Sequence, residues 1–180
     1  RARYDWRIQR HLVADGLSRG SLDDLTTLGG ACPRRGPISF PSMSVAVCTR
    51  DGAERLPECL DALAALDYPR DRLELLVVDN APRDGSTQSL LASRYPSIRY
   101  VVEPRPGLDN ARNRAIAAST GDIVAFTDDD VSVDAGWADA IGRVFAAEPG
   151  VDAVTGLVVA DEMDVESQRL FEAYGGFGRG

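Results

Sequence analysis

The feature that most constrains this chain is an alternation that begins at Met43, where short runs rich in Val and Ile are each followed by a stretch with helical spacing. A parallel strand buried on both faces reads as a near-continuous apolar run, and successive parallel strands need a helical crossover between them. Residues 44–49, 73–79, 98–102 and 122–127 read as strands in this sense, and a further strand is expected at 151–159. A helix is expected after the first strand, capped by Asp51 with Glu54 three residues on, and with Leu56, Leu60, Leu63 and Leu66 along one face. Others are expected at 86–94 and at 109–118, the latter stopped by Gly121, and Asp134 is expected to cap the next. The spacing predicts an α/β fold with a mostly parallel central sheet.

Residues 1–41 do not share the alternation. They read as a helical extension, with a helix at 4–17, a short one opened by Ser21 with Asp24 at the capping-box position, and a Gly- and Pro-bearing loop at 29–37. The domain proper is then 42–180.

Charge narrows the chemistry. The chain carries a formal net charge of -8, and its 20 basic residues are all arginine. Without lysine, a P-loop and Schiff-base chemistry are excluded. The acidic balance argues against nucleic acid or an anionic lipid surface as the main partner, and an acidic protein that handles phosphates needs a cation between itself and its substrate. Cys32, Cys48 and Cys59 are odd in number and lack CxxC spacing, which suits a reducing compartment, so a cytoplasmic location is the default expectation. No apolar run approaches the ~18 residues of a membrane span, and no signal peptide is legible. The chain begins at Arg1 and is read as a fragment, so the full-length protein is left open to membrane association.

Open α/β sheets bind ligands outside the carboxyl ends of their strands. Three expected strands end in polar residues: Thr49-Arg50-Asp51, Asp79-Asn80 and Asp128-Asp129-Asp130. Adjacent carboxylates repel, and a hard cation or an arginine is needed to offset them. In extended geometry Asp128 and Asp130 share one side and Asp129 takes the other, so the first pair is a candidate site for Mg²⁺ or Mn²⁺ bridging a diphosphate. A solvated acidic loop is the alternative. Asp79 is placed to accept from a ribose hydroxyl or a base N–H, or else it opens an Asx turn. Thr49 is a candidate ligand or an ordinary strand-end hydroxyl. Arg112 and Arg114 are candidates to pair with phosphate or with the acidic cluster, or they make surface ion pairs.

The order of these features resembles glycosyltransferase family 2. The motifs that carry the resemblance are Val45-Ala46-Val47-Cys48-Thr49, Val77-Val78-Asp79-Asn80 with Asp84-Gly85-Ser86, Gly107-Leu108-Asp109-Asn110-Ala111-Arg112-Asn113-Arg114-Ala115, and Phe126-Thr127-Asp128-Asp129-Asp130. The resemblance implies a GT-A, Rossmann-like sandwich and an inverting transfer of a sugar from a nucleotide-diphosphate donor to the hydroxyl of an unidentified acceptor. It places Thr49, Arg50, Asp51 and Asp79 around the nucleoside, Arg112 near the nucleotide, Asp128 and Asp129 at the nucleotide sugar, and Asp128 and Asp130 at the metal. Cys48 stands where the family usually has Pro, and Arg50-Asp51 where Tyr-Asn is common. The family's acidic general base lies well downstream of the metal motif, so it is expected beyond residue 180; Glu162 and Asp164 come too soon. The chain is accordingly expected to bind nucleotide and metal but to turn over poorly or not at all.

Other classes fit less well. A dehalogenase-type phosphatase with Asp128 as nucleophile needs a later lysine, and its motif would open the domain. A sugar nucleotidyltransferase would open with a Gly-rich basic phosphate loop, of which Arg50-Asp51-Gly52-Ala53-Glu54-Arg55 is a poor version. A non-catalytic nucleotide-sugar-binding module remains open, and would be favoured if Asp128 and Asp130 were dispensable for binding.

Overall fold

The computed structural model describes residues 2–4, 39–156, 158–160 and 164–174. Strand β1 (Ala2–Tyr4) stands apart from the main sheet, which begins with β2 (Met43–Thr49) and continues with β3 (Leu73–Asn80), β4 (Arg99–Glu103) and β5 (Ile123–Asp128). Their order is β4-β3-β2-β5 and every pairing is parallel. Between them run α1 (Leu56–Ala64), a short 3₁₀ turn at Arg70–Arg72, α2 (Ser86–Arg94) and α3 (Leu108–Ala118). Beyond β5 come β6 (Val131–Val133), α4 (Trp137–Ala147), β7 (Val158–Ala160) and α5 (Glu166–Tyr174). The α/β class and the parallel sheet follow the apolar runs closely.

Strand alternation sends neighbouring side chains to opposite faces, and both faces are covered. Met43, Val45, Val47 and Val77 pack with Leu56, Leu60 and Leu63 of α1, Leu91 of α2, and Trp137 and Ile141 of α4. On the other face Ala46, Leu76 and Val78 meet Val101 and the alanines Ala111, Ala115 and Ala118 of α3. Those alanines, at spacings of four and three, form a small-residue stripe against the sheet.

Four local expectations are corrected. The helix after β2 begins at Leu56, with Arg55 as its N-cap residue and no side-chain cap. Residues 52–55 form a turn, in which the Arg55 and Leu56 amides donate to the Gly52 carbonyl at 2.9 and 3.0 Å, and the Asp51 carboxylate is engaged elsewhere. Asp134 accepts from the Gly136 amide at 2.9 Å, an Asx turn ahead of α4, so Gly136 is the cap residue. At 151–159 only the end is a strand, since 151–156 have no regular structure. In the expected helical extension, residues 2–4 form a strand; the rest of the 4–17 helix, the Ser21 helix and the 29–37 loop lie outside the described residues. β1 is the middle strand of a small sheet, parallel to β6 and antiparallel to β7. Among the described residues no helix is long and apolar enough to cross a membrane.

A polar clasp closes the amino-terminal end of the main sheet. Glu74 on β3 accepts from the Ser44 hydroxyl at 2.5 Å, the Thr120 amide and hydroxyl at 2.9 Å each, and Arg99 at 2.9 Å. Ser44 and Glu74 are register partners, and the Thr120 and Gly121 amides also reach the Ser44 hydroxyl. Burial alone would raise the Glu74 pKa, but the Ser44 hydroxyl, the Thr120 amide, Arg99 and the Thr120 hydroxyl outweigh it and hold the group at about 2. A carboxyl depressed from 4.5 to about 2 stabilises the fold above pH 4.5 and loses that contribution as pH falls through about 2. Glu74→Gln should therefore cost about 2 kcal/mol in urea unfolding at pH 7, and the gap to the parent chain should narrow between pH 4.5 and 2.

Candidate functional site

The register of three strands decides which side chains meet. Thr49 lies opposite Asp79 across β2 and β3, and Cys48 lies opposite Asp128 across β2 and β5. Three expected polar strand ends are thereby brought to one rim. Alternation divides that rim: Thr49, Asp79 and Thr127 follow the face covered by α1, α2 and α4, while Cys48, Asn80 and Asp128 follow the α3 face.

The acidic triplet is not uniform. Asp129, half-buried, accepts through Oδ2 from the Thr49 hydroxyl and from Arg55 Nη2 at 2.9 Å. Thr49 is thus a donor to Asp129, and Arg55, which the sequence reading did not single out, offsets part of the acidic charge. Asp128 and Asp130 are exposed. Among the described residues no hydrogen bond or salt bridge engages either carboxylate. Nor do three or more His, Cys, Asp or Glu side chains there form a cluster that could hold a metal ion by themselves. A cation at Asp128 and Asp130 would need further oxygens, which a diphosphate has.

Gly52 makes the Thr49–Asp129 contact possible. A Cβ at this position would collide with the Thr49 hydroxyl and lie 2.9 Å from Asp129 Oδ2.

Asp51 takes a left-handed backbone, with φ of 50°, and its carboxylate accepts from the Arg83 amide at 3.0 Å and from Arg83 Nε at 2.7 Å. The Arg83 amide, against the effect of burial, and then its guanidinium hold the Asp51 carboxyl below its ordinary range. The loops after β2 and β3 are therefore tied together. Arg50 is exposed beside this pair and acts on Asp51 electrostatically.

Asp79 is completely buried. Its Oδ2 accepts from the Tyr100 phenol at 3.0 Å, while its Oδ1 has no hydrogen-bond partner. Burial pushes its carboxyl up, the Tyr100 and Thr87 hydroxyls pull it down, and Asp51 and Asp84 push it up again. The alternative role, opening an Asx turn, falls instead to no part of Asp79; the next residue orders the loop. Asn80 donates to the Arg105 carbonyl at 2.7 Å and accepts from the Gly107 amide at 2.8 Å, pinning the segment that enters α3. Gly107, with φ of 126°, occupies backbone space that a side chain would make costly. Asn80 was legible only as part of a turn, because its partners lie more than twenty residues away.

Arg112 is exposed on α3 and close enough to Cys48 to act on it electrostatically, as does Asp128. Burial chiefly, countered by Arg112 and reinforced by Asp128, sets the Cys48 thiol at about 11. Arg112 therefore belongs to the rim. Arg114 acts on Glu103 at the β4 edge, on the far side of the sheet from β5.

Residues 44–177 match the family model for glycosyl transferase family 2. Over 123 residues the chain is 33% identical to the glycosyltransferase AglE of Haloferax volcanii, covering 67% of this chain and 40% of that protein. It is 38% identical over 100 residues to the succinoglycan biosynthesis protein ExoM of Rhizobium meliloti, covering 53% and 32%. The chain thus spans well under half the length of these relatives. Among solved structures it is similar to the mannosyltransferase PcManGT of Pyrobaculum calidifontis, in complex with GDP-Man and Mn²⁺, with a TM-score of 0.54 and 33% identity over 65% of this chain and 37% of that one. It is also similar to S. aureus TarS, with a TM-score of 0.51 and 26% identity over 58% and 32%. The sheet is thereby of the GT-A kind.

The close approach of Gly52 gives a direct test. Gly52→Ala should lower stability by about 1–3 kcal/mol through overpacking, read by urea unfolding, and Gly52→Ala in a Thr49→Ala background, which removes the hydroxyl that the added Cβ would meet, should cost less.

Proposed function

The chain belongs to glycosyl transferase family 2, and on that premise we propose that it supplies the donor side of an inverting glycosyl transfer, binding a nucleoside-diphosphate sugar at the carboxyl-end rim of its parallel sheet. The observation that carries this reading is the division of labour within the acidic triplet. Asp129 is spent on Thr49 and Arg55, while Asp128 and Asp130 are exposed and, among the described residues, engaged in no hydrogen bond or salt bridge.

In this reading Asp128 and Asp130 would hold Mg²⁺ or Mn²⁺, and a divalent cation there supplies positive charge against a departing diphosphate. The two carboxylates fit that role, being hard oxygen donors at one strand end with room for ligand oxygens. Thr49, Arg50, Asp51 and Asp79 flank the nucleoside, and Arg112 stands on the α3 side, where a guanidinium can pair with phosphate oxygens. Asp129 contributes by fixing the turn that presents its neighbours. The similarity to a mannosyltransferase in complex with GDP-Man and Mn²⁺ supports a nucleotide-sugar donor and a divalent cation. Acceptor binding and deprotonation of the acceptor hydroxyl are assigned to sequence that the longer relatives carry outside the matched part.

Titration calorimetry with UDP, GDP and dTDP, each with and without Mn²⁺, tests the reading. One diphosphate should bind in a Mn²⁺-dependent manner, and Asp130→Ala should weaken it at least tenfold while leaving the unfolding midpoint near that of the parent chain. Binding that ignores both Mn²⁺ and Asp130→Ala would refute the metal assignment.

A further inference from the structure

The acidic triplet already has a cation of its own. Arg55 Nη2 lies 2.9 Å from Asp129 Oδ2, the oxygen that also accepts from the Thr49 hydroxyl. The charge is felt beyond that partner: Asp129, by hydrogen bond and by charge, outweighs the effect of burial in favouring the charged guanidinium, and Asp130 and Glu54 add to it.

The base of this side chain is fixed from below. Arg55 is the N-cap residue of α1, its amide donates to the Gly52 carbonyl at 2.9 Å, and one turn further on Cys59 Sγ donates to the Asp128 carbonyl at 3.4 Å. Leu56, Cys59, Leu60 and Leu63 bury the same helix in the core. The guanidinium is therefore carried by an element joined to the triplet at two points, one on the Asp129 side chain and one on the Asp128 backbone.

That position acts in opposite directions on two ligands. A divalent cation arriving alone at Asp128 and Asp130 meets two exposed carboxylates but also a like charge beside them, which opposes it. A diphosphate brings negative oxygens that a guanidinium attracts, and those oxygens offset the cation they carry. The Arg55 side chain is 53% exposed, so water screens part of the effect and holds it to about one order of magnitude in affinity.

Resting on the reading of the rim as a nucleotide-sugar site, we propose that Arg55 is an internal counter-cation that couples metal uptake to nucleotide: it opposes a divalent cation bound alone at Asp128 and Asp130, and it favours the same cation bound with a diphosphate. Such coupling is reciprocal, so Arg55 also sharpens the dependence of nucleotide binding on metal.

The test is water proton relaxation during titration of the chain with Mn²⁺, alone and with whichever of UDP, GDP and dTDP binds best. The variants are Arg55→Gln, Arg55→Met and Arg55→Lys, with Arg94→Gln, which breaks the Arg94–Asp61 pair, as a remote charge control. Arg55→Gln and Arg55→Met should each bind Mn²⁺ alone about tenfold more tightly than the parent chain, and should bind Mn²⁺ with the diphosphate no more tightly than it does. The gain should shrink as KCl is raised to about 0.5 M, because screening weakens the removed charge. Arg55→Lys and Arg94→Gln should match the parent in both mixtures. A loosened turn weakens binding, so a gain in affinity separates this role from a purely structural one. Mn²⁺ affinity unchanged or lower in both neutral variants, or an equal gain in Arg94→Gln, would overturn the inference and leave the nucleotide-sugar reading standing. Failure of the parent chain to hold Mn²⁺ with any of the three diphosphates would overturn both.

Discussion

The common register of β2 with β3 and β5 is the constraint on which the rest of the structure depends. All three strands are parallel and covered on both faces, so a slip of one residue would exchange the faces of every side chain in a strand. Thr49 and Asp79 would then turn toward α3, and Cys48 would turn away from Arg112. The Ser44–Glu74 pair at the opposite end, reinforced by Thr120 and Arg99, opposes such a slip with hydrogen bonds to a buried hydroxyl and an ionised carboxylate. The site at one end of the sheet is thus aligned by polar contacts at the other.

Charge at the rim is distributed rather than simply accumulated. Repulsion among Asp128, Asp129 and Asp130 is eased because the middle member turns toward Thr49 and Arg55. Asp51 is matched by Arg83. What remains uncommitted is a pair of exposed carboxylates on one side and a buried carboxylate oxygen on the other face, with Arg112 beside Cys48. In the proposed reading a ligand brings a cation and a diphosphate to the first. The proposed nucleotide-sugar donor would bring such a cation and diphosphate.

The strands and most helices were legible because burial imposes periodicity, and periodicity is local. Helix α2 lies at the residues expected for it, and α3 begins one residue before its expected start. The convergence of Thr49, Asp79 and Asp128 was also readable, since parallel strands of similar length end on the same side. What could not be read were contacts set by tertiary distance: Arg55 on Asp129, 74 residues away, Arg83 on Asp51, Asn80 on the loop into α3, and Tyr100 on Asp79. The Asp51 cap was misread for the same reason, because a better partner existed on another loop. At 151–159 the Val-rich pattern promised a long strand, but among the described residues only Val158–Ala160 pairs, with β1 as its neighbour, and nothing in the local sequence specifies that partner.

Asp128 and Asp130 are proposed to take up a divalent cation together with a diphosphate and not alone. Electron paramagnetic resonance of Mn²⁺ titrated with the chain, in the absence and presence of the diphosphate it binds best, measures this directly. Mn²⁺ should stay largely free with protein alone and be captured in the ternary mixture beyond what the diphosphate captures by itself. Capture of Mn²⁺ by the protein without nucleotide, or a ternary mixture no different from diphosphate and Mn²⁺ alone, would contradict it.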